Sequence, residues 1–227
     1  MFARHDLVWL SAHGWDRVCA GAEPEHRTAL DGWRRAGWPA VVRRDEAVPV
    51  AGQETGLLAL GIALPPRVQD DRKLRIAARA PIADVGRHAP PLPLLAALDA
   101  APARWRGPLA AFEREATAHG LSPAAYGSVA LQAVTGQSYL RETSDIDVLL
   151  RPLGRAHLET ALALLARHAA ALPLDGEIVF PDGRAVAWKE LQAALDGAPG
   201  TRVLAKELAR ISLVPLDELF ATMEELA

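Results

Sequence analysis

The segment Asp145-Ile146-Asp147-Val148-Leu149-Leu150 constrains this chain more than any other. It alternates polar and apolar residues and then becomes continuously apolar, as a strand entering a buried sheet does. Residues two apart on a strand point to one face, so Asp145 and Asp147 project their carboxylates together while Ile146 and Val148 enter the core. Paired carboxylates repel unless a cation or a proton intervenes. Magnesium suits such a pair, because it takes one or two carboxylates and completes its shell with substrate phosphates.

Two flanking segments fit the same chemistry. Tyr126-Gly127-Ser128 opens a helical run over Val129 to Val134, turning at Gly136. Gly127 allows close approach of the backbone to a phosphate, and Ser128 adds a hydroxyl to the free N–H groups and dipole of a helix start. Downstream, Leu174 to Phe180 reads as the neighbouring strand, with Asp175 and Glu177 on one face. Either could complete a two-metal clamp for in-line displacement at phosphorus. Arg141, just before the acidic strand, is a candidate phosphate contact.

The remainder of the chain reads as α+β. Residues 1–80 form short strands (Leu7 to Leu10, Ala40 to Val42, Gly56 to Leu64, Leu74 to Ala78) and one helix, Glu25 to Ala36. Arg43, Arg44, Lys73 and Arg75 are candidate contacts to an anionic ligand there, and Arg4 and Arg67 extend the same basic set. His5 is either a base or substrate contact or a local hydrogen-bond partner. The proline-rich stretch 81–93 is expected to be a linker. Residues 94–227 are expected to hold two helices (Leu94 to Trp105, Leu109 to His119), the acidic strands, and a long helix from Arg155 to Ala171. A hairpin turning at Pro181-Asp182-Gly183, a helix Glu190 to Leu195, a strand near Ile211 to Val214 and a terminal helix after Pro215 follow.

Charge and cysteine usage narrow the functional classes. With 227 residues and a net charge of -3, the chain has no bulk attraction for nucleic acid or an anionic membrane, so phosphate binding must be local. The single cysteine, Cys19, forms no internal disulfide and no multi-thiolate metal site, and is expected as a small buried hydrophobe in a reducing compartment. The charged start Arg4-His5-Asp6 lacks the apolar core of a signal peptide, and no apolar run reaches the roughly 20 residues of a membrane span. A cytoplasmic protein is the expectation.

Gly127-Ser128 followed by Asp145-x-Asp147 resembles the DNA polymerase beta-like nucleotidyltransferase superfold. The longer stretch Tyr126-Gly127-Ser128-x-Ala130-x-Gln132-x-x-Thr135-Gly136-x-x-Tyr139-Leu140, continuing through Thr143-Ser144-Asp145-Ile146-Asp147-Val148-Leu149, is similar to one branch of it. That branch is the phosphoribosyl-dephospho-CoA transferase family of malonate decarboxylase, the holo-acyl carrier protein synthases. Arg4 to Trp9, Trp38-Pro39, Gly61 to Pro65, Asp175-Gly176-Glu177 and Trp188-x-Glu190 extend the similarity over nearly the whole chain. Gln69-Asp70-Asp71-Arg72 departs from the family by making the loop before Lys73 acidic.

The resemblance implies a small amino-terminal α+β domain and a nucleotidyltransferase domain with a short mixed sheet, the ligand lying between them. It implies transfer of the phosphoribosyl-dephospho-CoA group from 2'-(5''-triphosphoribosyl)-3'-dephospho-CoA to a serine of the apo acyl carrier subunit, releasing pyrophosphate. One or two Mg2+ ions on Asp145, Asp147, Asp175 and Glu177 would serve that reaction, with Gly127, Ser128, Arg141, Arg43, Arg44, Lys73 and Arg75 around the cofactor. The alternatives are a nucleotidyltransferase using an ordinary nucleoside triphosphate on a small molecule or protein, and a non-enzymatic carrier-protein assembly factor.

Overall fold

The computed structural model describes residues 1–45, 56–66, 73–198 and 200–224. Arg67 and the acidic stretch 69–72 lie outside the described residues. The chain is α+β and divides into two compact units: Met1–Pro91 with Leu208–Arg210, and Leu92–Glu207 with Ile211–Ala227.

The first unit is an antiparallel sheet with two helices. Its strands are β1 (Leu7–Leu10), β2 (Ala40–Val42), β3 (Leu57–Ala63), β4 (Arg75–Pro81) and β5 (Val85–Ala89), in the order β4-β3-β2-β1-β5. Helix α1 (Ala12–Gly21) starts at Ser11, whose Oγ accepts from Gly14 N at 3.1 Å. Helix α2 (Pro24–Arg35) starts with a proline, which loses no hydrogen bond at that position. Trp33 anchors the core at 2% exposure, its indole donating to Pro39 O at 3.1 Å, so the large ring is buried with its one polar atom satisfied.

Two features depart from the sequence expectation. Helix α1 carries glycine at residue 14 and β-branched Val18, which weaken the helical signal, yet it is fixed by packing: a β-carbon on Gly14 would lie 2.9 Å from Asp84 Cβ. The stretch 81–93 is structured rather than a linker. Its prolines stand at the end of β4 and beyond β5, where they remove no ladder bond from β5, which pairs with β1 along Leu7↔Ala89 and Val8↔His88.

The second unit is a mixed seven-stranded sheet. Its strands are β6 (Leu92–Pro93), β7 (Ala124–Ala125), β8 (Ile146–Leu150), β9 (Leu174–Val179), β10 (Ala185–Ala187), β11 (Arg202–Lys206) and β12 (Ile211–Pro215), ordered β12-β11-β10-β9-β8-β7-β6. Only the β8–β9 pair is parallel among the described strands. The helices are α3 (Leu94–Ala97), α4 (Ala103–Ala118), α5 (Gly127–Thr135), α6 (Arg155–His168), α7 (Trp188–Leu195) and α8 (Leu216–Glu224). Helix α6 is the crossover that a parallel pair requires.

The helix expected over Leu94 to Trp105 is broken. Pro102 disfavours helical geometry at the residue before it, and Ala101 is extended (φ -74°, ψ 149°), so α4 starts afresh at Ala103. Ile146, Val148 and Leu150 of β8 and Leu174 and Ile178 of β9 enter one core with Leu109, Phe112, Leu162 and Leu165. Each fully buried Leu or Phe there contributes roughly 1.5–3 kcal/mol by leaving water. That core fixes the register of β8, and the register fixes where its carboxylates point.

Candidate active site

Strand alternation turns Asp147 and Asp175 away from the helix-lined core. In the parallel pair β8–β9 the register is Asp147↔Asp175, Val148↔Gly176 and Leu149↔Glu177. Asp147 and Asp175 are therefore direct neighbours on one face, on strands about 4.8 Å apart. Both are half-buried, whereas Asp145, one residue before β8, is exposed. A small apolar cluster of Leu149, Val179 and Ala185, with Tyr126 and Ala124 packed against it, flanks the carboxylates on the same face.

Gly127 closes over this pair. Its φ is +63°, in the left-handed region that glycine tolerates, and a β-carbon there would overlap Asp147 Oδ2 and lie 3.0 Å from Cγ. The start of α5 thus rests directly on the carboxylate, with Tyr126 N donating to Asp147 O at 3.1 Å. Gly176, at φ +131°, has the same necessity: a β-carbon would collide with Val148 O and lie 2.6 Å from Val148 N. Any side chain at residue 176 would push β9 off β8 and separate the two aspartates.

Asp175 and Glu177 differ in their surroundings. Asp175 Oδ1 accepts from Gly176 N at 2.9 Å and lies 3.6 Å from Lys189 Nζ, which is half-exposed on α7. Glu177 is buried at 5% exposure, and its Oε1 accepts from Lys206 Nζ at 2.9 Å. The sequence leaves these two acids equivalent; Lys206, 29 residues from Glu177 in sequence and brought near by β11, makes them unlike. Neither Lys189 nor Lys206 carries a motif signal, and only the strand pairing reveals them.

The loop between α5 and β8 is held by Gln132. Its Oε1 accepts from Tyr139 N at 2.9 Å and Leu140 N at 3.1 Å, while its Nε2 donates to Ala100 O at 2.6 Å. Gly136 ends α5 at φ +70°, and Thr135 Oγ1 donates to Leu131 O and accepts from Gln137 N. Arg141 N donates to Ser144 Oγ at 2.8 Å, which sets the last turn before Asp145. Burial raises the Tyr139 hydroxyl pKa well above the usual phenol value, so this 1% exposed ring acts as neutral packing.

The residues expected around an anion in the first unit divide. Arg43 and Arg44 line one cavity together with Arg17 and Arg79, which sequence reasoning missed; Lys73 and Arg75 are exposed and do not line it. His5 takes φ +70°, and its Nε2 accepts from Arg4 Nη2 at 3.1 Å, a local partnership. The histidine that meets a buried acid is His88, whose Nε2 lies 2.6 Å from Asp6 Oδ2. Cys19 is half-buried, and burial followed by the nearby Asp31 carboxylate raises its pKa, which keeps it a thiol.

Among the described residues, no group of three or more His, Cys, Asp or Glu side chains could hold a metal ion. The Asp147–Asp175 pair is nonetheless an all-oxygen donor set cradled by a glycine, which fits magnesium, an ion that draws its remaining ligands from water and substrate phosphates. Among the described residues no helix is long and apolar enough to cross a membrane.

Residues 3–91 match the family model for the phosphoribosyl-dephospho-CoA transferase MdcG N-terminal domain, and residues 93–217 match that for the MdcG C-terminal domain. A phosphoribosyl-dephospho-CoA transferase of Xanthomonas campestris pv. campestris (strain 8004) is 38% identical over 224 residues, covering 97% of each chain. One from Bradyrhizobium diazoefficiens is 33% identical over 214 residues, covering 93% of this chain and 89% of its own. No solved structure matches.

Proposed function

The chain belongs to the MdcG family of phosphoribosyl-dephospho-CoA transferases, and on that premise we propose that it moves the phosphoribosyl-dephospho-CoA group of triphosphoribosyl-dephospho-CoA onto a serine of the malonate decarboxylase acyl carrier subunit. The serine Oγ bonds to the α-phosphorus, the bond from that phosphorus to the bridging oxygen breaks, and pyrophosphate leaves with the electron pair. The serine proton passes to the carboxylate pair and from there to water. A polymerase beta-like arrangement of helix start and acidic strands suits this displacement.

The observation that carries the reading is the in-register pairing of Asp147 with Asp175 beneath Gly127. Two carboxylates about 5 Å apart repel by roughly 3 kcal/mol at an effective dielectric of 20, which favours a divalent cation between them. Asp147 and Asp175 would hold magnesium, with Asp145, exposed at the strand start, outside the pair; when bound, the ion would neutralise charge on the triphosphate and the departing pyrophosphate. Glu177 is left out of that set because Lys206 already neutralises it. Its role is to keep β9 and β11 in register on the acidic face.

The remaining groups act on substrate. The N–H groups at the start of α5 and the Ser128 hydroxyl bind outer phosphate oxygens, and Lys189, beside Asp175, and Arg141, in the loop before β8, add positive charge.

Intact mass spectrometry of the apo carrier subunit, incubated with the protein, magnesium and triphosphoribosyl-dephospho-CoA, tests the proposal. A mass gain of one phosphoribosyl-dephospho-CoA group is expected, with pyrophosphate released in equal amount. An unchanged carrier mass, or an equal gain from ATP, GTP, CTP or UTP, overturns it.

A further inference from the structure

A cavity of about 420 Å³ opens within the first unit. Its floor is apolar, built from Val18 of α1, Leu30 of α2, and Ala59 and Ile76 of β3 and β4. Four arginines, Arg17, Arg43, Arg44 and Arg79, line it with the single acid Asp45. Arg79 pairs with Asp45, and Arg17 Nε lies 3.6 Å from Asp84 Oδ2. These acids hold Arg17 and Arg79 in place, and the four arginines of the lining outnumber its one carboxylate.

Size and chemistry together select the ligand class. The volume lies in the range of sites that enclose whole organic ligands. An apolar floor calls for a flat or hydrophobic body, and clustered arginines call for phosphate, which the guanidinium fork meets through two parallel hydrogen bonds. The small residues Ala77 and Ala78 on β4 also line the cavity. A nucleotide carrying a diphosphate satisfies both demands, with its base on the floor and its phosphates among the arginines.

We infer that this cavity is a nucleotide site and that it holds the adenosine diphosphate portion of the dephospho-CoA group. The identity of the nucleotide rests on the transfer proposed above; the existence of the site rests on the cavity alone. Arg43 and Arg44 thereby become substrate-binding residues, joined by Arg17 and Arg79.

Calorimetric titration of the full chain with ADP in EDTA tests the inference, because no metal then contributes to phosphate binding. Binding is expected for the unaltered protein and for Asp145→Asn/Asp147→Asn, and at least about tenfold weaker binding for Arg43→Gln/Arg44→Gln, which loses two charge-assisted contacts. Arg17→Gln, on an exposed helix position, gives the same direction should the double variant fail to fold. No ADP binding, binding indifferent to these arginines, or inorganic pyrophosphate binding as tightly as ADP each overturns the nucleotide assignment. An unmodified carrier with ADP binding intact counts against the transfer alone; a modified carrier with no ADP binding counts against the cavity alone.

Discussion

Gly127 stands directly against the Asp147 carboxylate: a β-carbon at residue 127 would overlap Oδ2 and lie 3.0 Å from Cγ, at a backbone φ of +63°. Gly136, at the other end of α5, has φ +70° but nothing within 4 Å of its β-position. The two glycines therefore separate backbone strain from displacement of the carboxylate. Gly136→Ala is expected to cost about 1–2 kcal/mol of stability with activity retained, since only the left-handed penalty is incurred. Gly127→Ala should lower stability by about 1–3 kcal/mol and also reduce carrier modification at least tenfold, because Asp147 must move. Denaturant unfolding and the modification rate, measured on both variants, check this; equal activity in the two would exclude the role given to Gly127.

Glu177 and Lys206 form a pair in which one member is almost fully buried, at 5% exposure. Removing one partner of a buried pair leaves an uncompensated charge at a cost of roughly 3–5 kcal/mol, a figure to discount here because Lys206 is 27% exposed. Lys206→Met is thus expected to destabilise by about 2 kcal/mol, and Glu177→Leu/Lys206→Met to recover most of that loss. Asp175→Asn should leave stability nearly unchanged and abolish measurable transfer. Thermal unfolding beside the transfer assay distinguishes the two acids, and a stable but inactive Glu177→Gln would reverse their assignment.

Much of this arrangement is legible in the sequence, because β8 and β9 announce themselves by alternation and the Gly127-Ser128 start precedes them at a fixed place in chain order. The strands Leu7–Leu10 and Ala40–Val42 have the expected bounds for the same reason. Helix α1 was hidden by a glycine that exists for packing against Asp84. The prolines of 81–93 conceal β5 because they flank the strand rather than interrupt it. Asp175 and Glu177 look alike in sequence, since the lysine that distinguishes them arrives through strand pairing. The basic residues of the first unit are visible as charges, but only the cavity separates Arg43 and Arg44 from Lys73 and Arg75.

Glu113 on α4 provides a pH test outside the acidic strands. Burial raises its pKa above the ordinary glutamate value, an effect only partly offset by the Thr117 hydroxyl. Its Oε2 is buried with no hydrogen-bond partner among the described residues. A carboxyl whose folded pKa is raised favours the folded state when protonated, so its contribution is fully present below the ordinary glutamate pKa and is lost as pH rises through the folded value. Glu113→Gln is expected to raise the melting temperature at pH 7 and to leave it little changed at pH 3. Melting curves across that range check it, and a lower melting temperature at pH 7 would contradict it.

Gln132 ties three backbone groups, from Tyr139, Leu140 and Ala100, to the helix that begins at Gly127. An alanine there leaves two N–H donors and a carbonyl without this partner, and a buried group left unsatisfied costs about 1–3 kcal/mol. Because the side chain is half-buried, water can replace part of the loss, and about 2 kcal/mol is expected for Gln132→Ala. The loop from Gly136 to Ser144 ends at Asp145, so the same change should loosen the approach to the acidic strand and weaken magnesium. Gln132→Glu keeps the acceptor for Tyr139 and Leu140 and loses only the donor to Ala100. It should therefore retain more activity than the alanine variant and a lower magnesium requirement. Magnesium titrations of the transfer rate for the two variants check this, and identical magnesium curves would show that the loop does not position the acidic strand.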